Sequence, residues 1–166
     1  KIGITICEDL WVNENIEGRG IHRRDPVHDF PSKELDCMIN LSASPFTLGK
    51  FKKRLKISNS ASKKLQSPLI YLNQIGGNDD LIFDGNSFIL DKKGNKIKQL
   101  NSCKEDFYCW DINENKNTLP SESNSSYNEL IFDALVLGLK DYAKKCGIKS
   151  ALIGLSGGID SALVTV

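Results

Sequence analysis

Two groups of residues in this chain have the types and spacing to do chemistry, and they lie near its opposite ends. Near the C-terminus, Ser156-Gly157-Gly158-Ile159-Asp160-Ser161 follows the apolar run Ala151–Leu155 and precedes the helix-forming residues Ala162–Val166. Glycines at 157 and 158 let the backbone turn sharply and come close to an anion. The first N–H groups of the following helix have no intrahelical partner and point at that anion. Ser156 and Ser161 add hydroxyl donors. Asp160 would repel a bare phosphate, so its carboxylate makes sense as a contact to a phosphate-bound Mg²⁺. The loop lacks the lysine of the common NTPase phosphate loop. Near the N-terminus, Cys7 stands where the alternating strand pattern of residues 1–6 ends, followed by Glu8-Asp9-Leu10-Trp11. A thiol at a strand end is held by a rigid element yet can face a cleft. It needs a base or a positive field to become the nucleophilic thiolate. Its acidic neighbours supply neither, and taken alone Cys7 fits a small core thiol better than a nucleophile.

The elements that must position these groups follow from periodicity and breakers. Strands are expected at 1–6, 36–41, 69–73, 86–90, 96–100 and 150–155, with further alternation at 106–111. Helices are expected over 48–66, with Phe51, Leu55, Ala61 and Leu65 inward and lysines outward, and over 127–146. The stripe Ile131, Leu135, Leu139, Tyr142 and Cys146 faces inward on the second helix, which Gly147 caps. Residues 12–34 and 78–85 read as loops, and the apolar-poor stretch 112–126 reads as a linker. The sequence starts inside a strand pattern and stops inside a helix pattern, so it is expected to be a piece of a longer protein that spans a domain junction.

The chain has 166 residues, 40% apolar and 26% charged, with a net charge of +1. That near-neutral balance gives no field for nucleic acid or a membrane surface, and no apolar run reaches the length of a membrane span. The five cysteines include no Cys-x-x-Cys pair. They suggest free thiols in a reducing compartment, the cytoplasm. His22 and His28, with Asp25 and Asp29, could suggest a metal, but solvated loop histidines fit better. Lys52-Lys53-Arg54 and Lys63-Lys64 could bind phosphate, although a solvated helix face fits better. Asp79 and Asp80, beside Gly76-Gly77, could line a cleft or an inter-domain contact, and a turn role fits equally well.

The glycine loop resembles that of the ATP pyrophosphatase superfamily, which splits ATP between its α- and β-phosphates to adenylate a substrate. The resemblance implies that Gly154, Leu155, Ser156, Gly157, Gly158, Ile159, Asp160 and Ser161 bind ATP, with Asp160 toward Mg²⁺. Cys7-Glu-Asp-Leu-Trp11, Asn40-Leu-Ser-Ala-Ser-Pro-Phe46 and Gly49-Lys50 together resemble the glutamine amidotransferase domain of the nitrilase (carbon–nitrogen hydrolase) family. That family uses a Glu, Lys and Cys triad. Cys7 matches its nucleophile, and the matching Glu and Lys would lie before residue 1. Ser44 matches a residue that binds the α-amino-acid head of glutamine. Lys50 matches a basic residue, often Arg in relatives, that pairs with the α-carboxylate.

This order of signals, with Asn73–Asp80, Phe83–Phe88 and Asp133–Tyr142, is similar to the glutamine-dependent NAD synthetases. The implied fold is α/β. Residues 1–110 would be the C-terminal part of a nitrilase-like α-β-β-α sandwich and 111–126 a linker. Residues 127–166 would start a doubly wound domain of the adenine nucleotide α-hydrolase type. The implied reaction converts deamido-NAD, ATP and glutamine to NAD, AMP, pyrophosphate and glutamate, in a parent protein that is a homo-oligomer. A glutaminase-fed ATP pyrophosphatase with another acceptor, or an inactive truncated remnant, are the alternatives.

Overall fold

The computed structural model describes residues 1–11, 24–113 and 126–166. Seven strands and three α-helices appear among them: β1 Ile2–Ile6, β2 Cys37–Ser42, α1 Lys50–Leu65, β3 Leu69–Asn73, β4 Ile75–Asn78, β5 Leu81–Asp84, β6 Phe88–Leu90, β7 Lys96–Gln99, α2 Tyr127–Lys145 and α3 Ile159–Thr165. The architecture is mixed α/β. Five strands form one sheet in the order β1-β2-β3-β6-β7, while β4 and β5 form a separate hairpin. β1, β2 and β3 run parallel, and α1 is the crossover from β2 to β3. A parallel pair needs such a crossover, because a tight turn would reverse the chain. β6 and β7 then add antiparallel. Asp91 caps their turn by accepting from the N–H groups of Lys93 and Asn95, each at 2.8 Å.

The core lies on one face of this sheet. Met38, Leu69, Tyr71 and Phe88 are buried there beneath Ile57 and Leu65 of α1, and Leu10 and Trp11 close one side. Tyr71 and Phe88 stack with centroids 5.0 Å apart, and Phe51 meets Phe88 edge-on at 5.8 Å. Among the described residues, none covers the opposite face. The isoleucines of β1 stand more than half exposed, and Leu41 and Leu72 continue the same apolar surface. A strand alternates its side chains between faces, so Gly3 and Thr5, not the isoleucines, are the residues of β1 that reach the core. The helix-and-sheet pair matches one half of the expected sandwich, in which a second sheet would cover the isoleucine face.

Several expectations need correction. Residues 78–85 are not a plain loop: β4 and β5 pair from Ile75–Asp84 to Asn78–Leu81, turning at Asp79 and Asp80. The paired glycines 76 and 77 permit close packing against α2. Residues 150–155 form no strand, because an extended segment becomes one only by pairing, and no neighbour pairs with them among the described residues. Residues 106–111 are likewise unpaired, with Phe107 exposed. α2 ends as expected. Gly147 adopts φ +68°, its N–H bonds the Lys144 carbonyl, and Ile148 N–H bonds that of Ala143. These are the paired bonds of a Schellman cap. Its inward stripe, however, is shifted: Leu135, Leu139 and Tyr142 are exposed, and Ala134, Gly138 and Asp141 face the β4–β5 hairpin. No described helix is long and apolar enough to cross a membrane.

Candidate active site around Cys7 and the glycine loop

Cys7 follows the last residue of β1 and opens a single 3-10 turn, Cys7–Leu10. Its backbone sits in the left-handed region at φ +45°. For an L-residue other than glycine that conformation costs roughly 1–2 kcal/mol, so the surroundings must hold it. Asp9 accepts a hydrogen bond from Ile6 N–H at 2.8 Å, and Trp11 N–H closes the turn onto Glu8 O at 2.9 Å. From β2, the wholly buried Asn40 donates to Thr5 Oγ1 at 3.0 Å and to the Cys7 carbonyl at 3.5 Å. The sharp exit from β1 leaves the thiol partly exposed. Strain at such a junction is typical of functional positions.

The thiol opens into a cleft of about 360 Å³ whose wall includes Cys7, Glu8, Trp11, Ser44, Lys50 and Lys53. This volume is in the range of small-molecule sites. Cys7, Ser44 and Lys50, separated by up to 43 positions in sequence, therefore meet in one cavity. Lys50 is not a freely solvated lysine. Its Nζ lies 5.7 Å from the centre of the Trp11 ring, a cation–π contact. Burial holds its pKa below the ordinary lysine value, and the positive charge of Arg54 adds to the effect, while Cys7 and Asp84 oppose it. An anion in the cleft would restore the favourable environment that burial removes.

Ser44 is buried and fixed at every polar atom. Its N–H donates to Asn73 Oδ1 at 2.9 Å, and its carbonyl accepts from Arg54 Nη2 at 2.7 Å and Asn73 Nδ2 at 3.2 Å. Its hydroxyl oxygen accepts from Arg54 Nε at 3.1 Å. Arg54 is fully buried and pairs through Nη1 with Asp84 at 2.9 and 3.2 Å. The expectation of a solvated Lys52-Lys53-Arg54 face thus fails at Arg54. Helical spacing carried the missed signal: positions 51, 54, 58, 61 and 65 share one face of α1, and Arg54 stands between two of its inward residues. Asp84 in turn accepts from Asn86 Nδ2 at 2.9 Å, and Gln99 donates to Asn86 at 2.9 Å. Below Ser44 the wholly buried Tyr71 hydroxyl makes no hydrogen bond of normal geometry. Burial raises its pKa, and the nearby Ser42 partly reverses that.

The glycine loop forms a separate, exposed site. Gly157 takes φ +84°, and Gly158 is the N-cap of α3. The two serines close the loop: Gly158 N–H donates to Ser156 Oγ at 3.3 Å, Ser156 N–H to Ser161 Oγ at 3.3 Å, and the hydroxyls lie 3.1 Å apart. Gly154 to Asp160 are exposed and Ser161 half-buried. Asp160 is the one carboxylate of this loop, an oxygen ligand of the kind that hard divalent cations take.

Elsewhere, the larger open groove of about 910 Å³ between α2 and Leu163 contains neither the thiol nor the loop serines. His22 lies outside the described residues, and His28 faces Asp25 at 3.5 Å. Asp79 and Asp80 form the β4–β5 turn beside α2. On the other side of that turn, Gly77 N–H donates to Asp141 at 2.8 Å, and Lys145 Nζ donates to the Gly77 carbonyl.

Comparison with known proteins agrees along the whole chain. The NAD synthase family profile matches residues 131–166. A glutamine-dependent NAD(+) synthetase from Synechocystis sp. is 42% identical over 99% of this chain, and one from Acinetobacter baylyi is 37% identical over 98%. The chain spans 30% and 29% of those two proteins. The solved glutamine-dependent NAD+ synthetase from Acinetobacter baumannii in complex with ADP superposes with a TM-score of 0.78 at 32% identity, over 99% of this chain and 30% of that one. The enzyme of the same name from Cytophaga hutchinsonii gives a TM-score of 0.63 at 25% identity, over 97% and 23%.

Proposed function

Since the chain belongs to the glutamine-dependent NAD(+) synthetase family, we propose that it carries the nucleophile and glutamine pocket of that enzyme together with the ATP loop of its synthetase site. The observation that carries the reading is the meeting of Cys7, Ser44 and Lys50 in one cleft. In this division residues 1–110 belong to a nitrilase-type glutaminase domain, 111–126 to a linker and 127–166 to the synthetase domain of a homo-oligomeric, cytoplasmic enzyme.

Glutamine enters with its α-carboxylate toward Lys50 and Ser44, which leaves its side-chain amide to reach Cys7. The Cys7 thiolate attacks the amide carbon. The C–N bond breaks, ammonia leaves with the proton it needs, and a glutamyl thioester remains for water to hydrolyse to glutamate. In the nitrilase-type triad that the resemblance implies, a Glu would move these protons and a Lys would favour the thiolate. At the second site, the Ser156–Ser161 loop offers backbone N–H groups and two hydroxyls to the phosphates of ATP, and Asp160 would hold the accompanying Mg²⁺, which would offset phosphate charge. The nicotinate carboxylate of deamido-NAD attacks the α-phosphorus and displaces pyrophosphate. Ammonia then attacks the adenylated carboxyl and displaces AMP, giving NAD.

The test is Cys7→Ala in the full-length protein, with NAD formation from deamido-NAD and ATP measured with glutamine or with ammonium as nitrogen source. Loss with glutamine and retention with ammonium is expected. Undiminished activity with glutamine would remove Cys7 as the nucleophile, and no NAD from the unmutated protein with either donor would overturn the acceptor assignment.

A further inference from the structure

We propose that Arg54, locked in place by Asp84, is a positioning residue that makes Ser44 a carboxylate-binding hydroxyl and so sets the preference of the cleft for an α-amino acid head. The inference rests on the reading that Ser44 and Lys50 bind glutamine. Arg54 does not line the cleft; it lies behind Ser44 with its side chain wholly buried. One guanidinium holds Ser44 at two atoms, Nε on Oγ at 3.1 Å and Nη2 on the carbonyl at 2.7 Å, and Nη2 also reaches the Pro45 carbonyl at 3.2 Å. Both the backbone position and the side-chain rotamer of Ser44 are therefore set from behind.

The bond to Oγ has a chemical consequence. A serine hydroxyl has one proton to donate and two lone pairs to accept with. Arg54 takes one lone pair and places a positive charge behind the oxygen. Asp84 pairs with the far nitrogen of the guanidinium and offsets much of this charge, so what acts at Ser44 is the Nε–H aimed at Oγ, which occupies a lone pair and leaves the hydroxyl proton for an acceptor with negative charge. Lys50, on the same wall, has the same preference. The glutamine carboxylate, not its ammonium group, is thus directed to Ser44. Asp84 fixes the guanidinium by bonding the remaining nitrogen, Nη1, and its own position is held by Asn86 at 2.9 Å. A lysine at position 54 would retain the charge but lack the fork that engages Ser44 and Asp84 together.

The experiment uses the full-length protein and its Arg54→Lys, Ser44→Ala and double variants. Glutamine hydrolysis is compared with that of glutamine α-amide, in which the carboxylate is a neutral carboxamide, and ammonium-driven NAD formation checks the intact fold. For Arg54→Lys, KM for glutamine is expected to rise at least tenfold with kcat within threefold, and the preference for glutamine over its α-amide to fall by a similar factor. The double variant should be no worse than Ser44→Ala, because Arg54 acts through Ser44. An unchanged KM in Arg54→Lys, an equal loss on both amides, a falling kcat at constant KM, or additive effects in the double variant would each overturn the proposal. Loss of ammonium-driven activity in Arg54→Lys would also overturn it, by making Arg54 a residue of general folding. If Ser44→Ala itself leaves the KM for glutamine unchanged, the underlying pocket assignment fails first and the proposal with it.

Discussion

Replacing Asp84 by alanine leaves Arg54 as an uncompensated charge in a dry site. The side chains are 0% and 3% exposed. Among the described residues Asp84 supplies the only carboxylate that Arg54 contacts, and the other acceptors are the hydroxyl and carbonyl of Ser44 and the carbonyl of Pro45. Removing one member of a buried ion pair costs about 3–5 kcal/mol, since the remaining charge keeps its desolvation penalty and loses its compensation. Against a typical domain stability of about 5–15 kcal/mol this is a large fraction. With a urea m-value of about 2 kcal/mol/M, the unfolding midpoint should fall by about 1.5–2.5 M. Removing both charges should cost far less. In Arg54→Met with Asp84→Asn, the asparagine can still accept from Asn86, and no buried ion remains. That protein is expected to regain most of the stability lost in Asp84→Ala while still using glutamine poorly. The assay is equilibrium urea unfolding of the full-length proteins, with hydrogen exchange of α1 as the local readout. A loss below about 1 kcal/mol in Asp84→Ala, the range of an exposed ion pair, would show that water reaches the guanidinium and would refute the reasoning. Additive losses in the double variant would refute it as well.

Other outcomes follow from single features. A Cβ at Gly77 would lie 3.1 Å from the Gly138 Cα and 3.3 Å from its carbonyl oxygen. Gly77→Ala should therefore loosen α2 from the hairpin by about 1–3 kcal/mol, seen as faster hydrogen exchange in both while β1–β3 stay protected. Gly157 holds φ +84°, so Gly157→Ala should weaken ATP use by about tenfold, from a strain of about 1–2 kcal/mol, and leave glutamine hydrolysis unchanged. Burial lowers the Lys50 pKa, so the cation that binds carboxylate is present at low and neutral pH and is lost as pH rises, earlier than for an ordinary lysine. The KM for glutamine should climb on the alkaline side below pH 10.5, and Lys50→Arg should flatten that rise. Burial pushes the Cys37 thiol up to about 11. At pH 8 only about one such thiol in a thousand is thiolate, so iodoacetamide should modify Cys7 well before Cys37 in the native protein, as read by peptide mass analysis.

Local chemistry was legible in the sequence wherever neighbours along the chain decide the outcome. The bounds of β3 and the core of α1 followed from hydrophobic spacing, the β6–β7 turn from Asp91 and Gly94, and the end of α2 from Gly147. The strand–cysteine junction and the glycine turn before α3 were visible for the same reason, because a turn conformation is set by the residues within it. Where the pattern misled, the deciding partner was distant. The alternation of Ile2, Ile4 and Ile6 identified a strand but not which face of it is covered, and the core took Gly3 and Thr5 instead. Residues 78–85 read as loop, yet β5 pairs there with β4 beside α2, and residues 150–155 stayed unpaired because pairing requires a neighbouring strand.

The clearest division is at Ser44. Residue types and motifs alone named Cys7, Ser44 and Lys50 as partners in one chemistry. Only the tertiary structure put the three on one cleft and set Arg54 behind Ser44, with Asp84 behind Arg54. The sequence determines which groups are present and what local turns they make. A charge becomes interior, and a hydroxyl acquires a direction, only when segments 30 residues apart in the chain, as Arg54 and Asp84 are, exclude water between them.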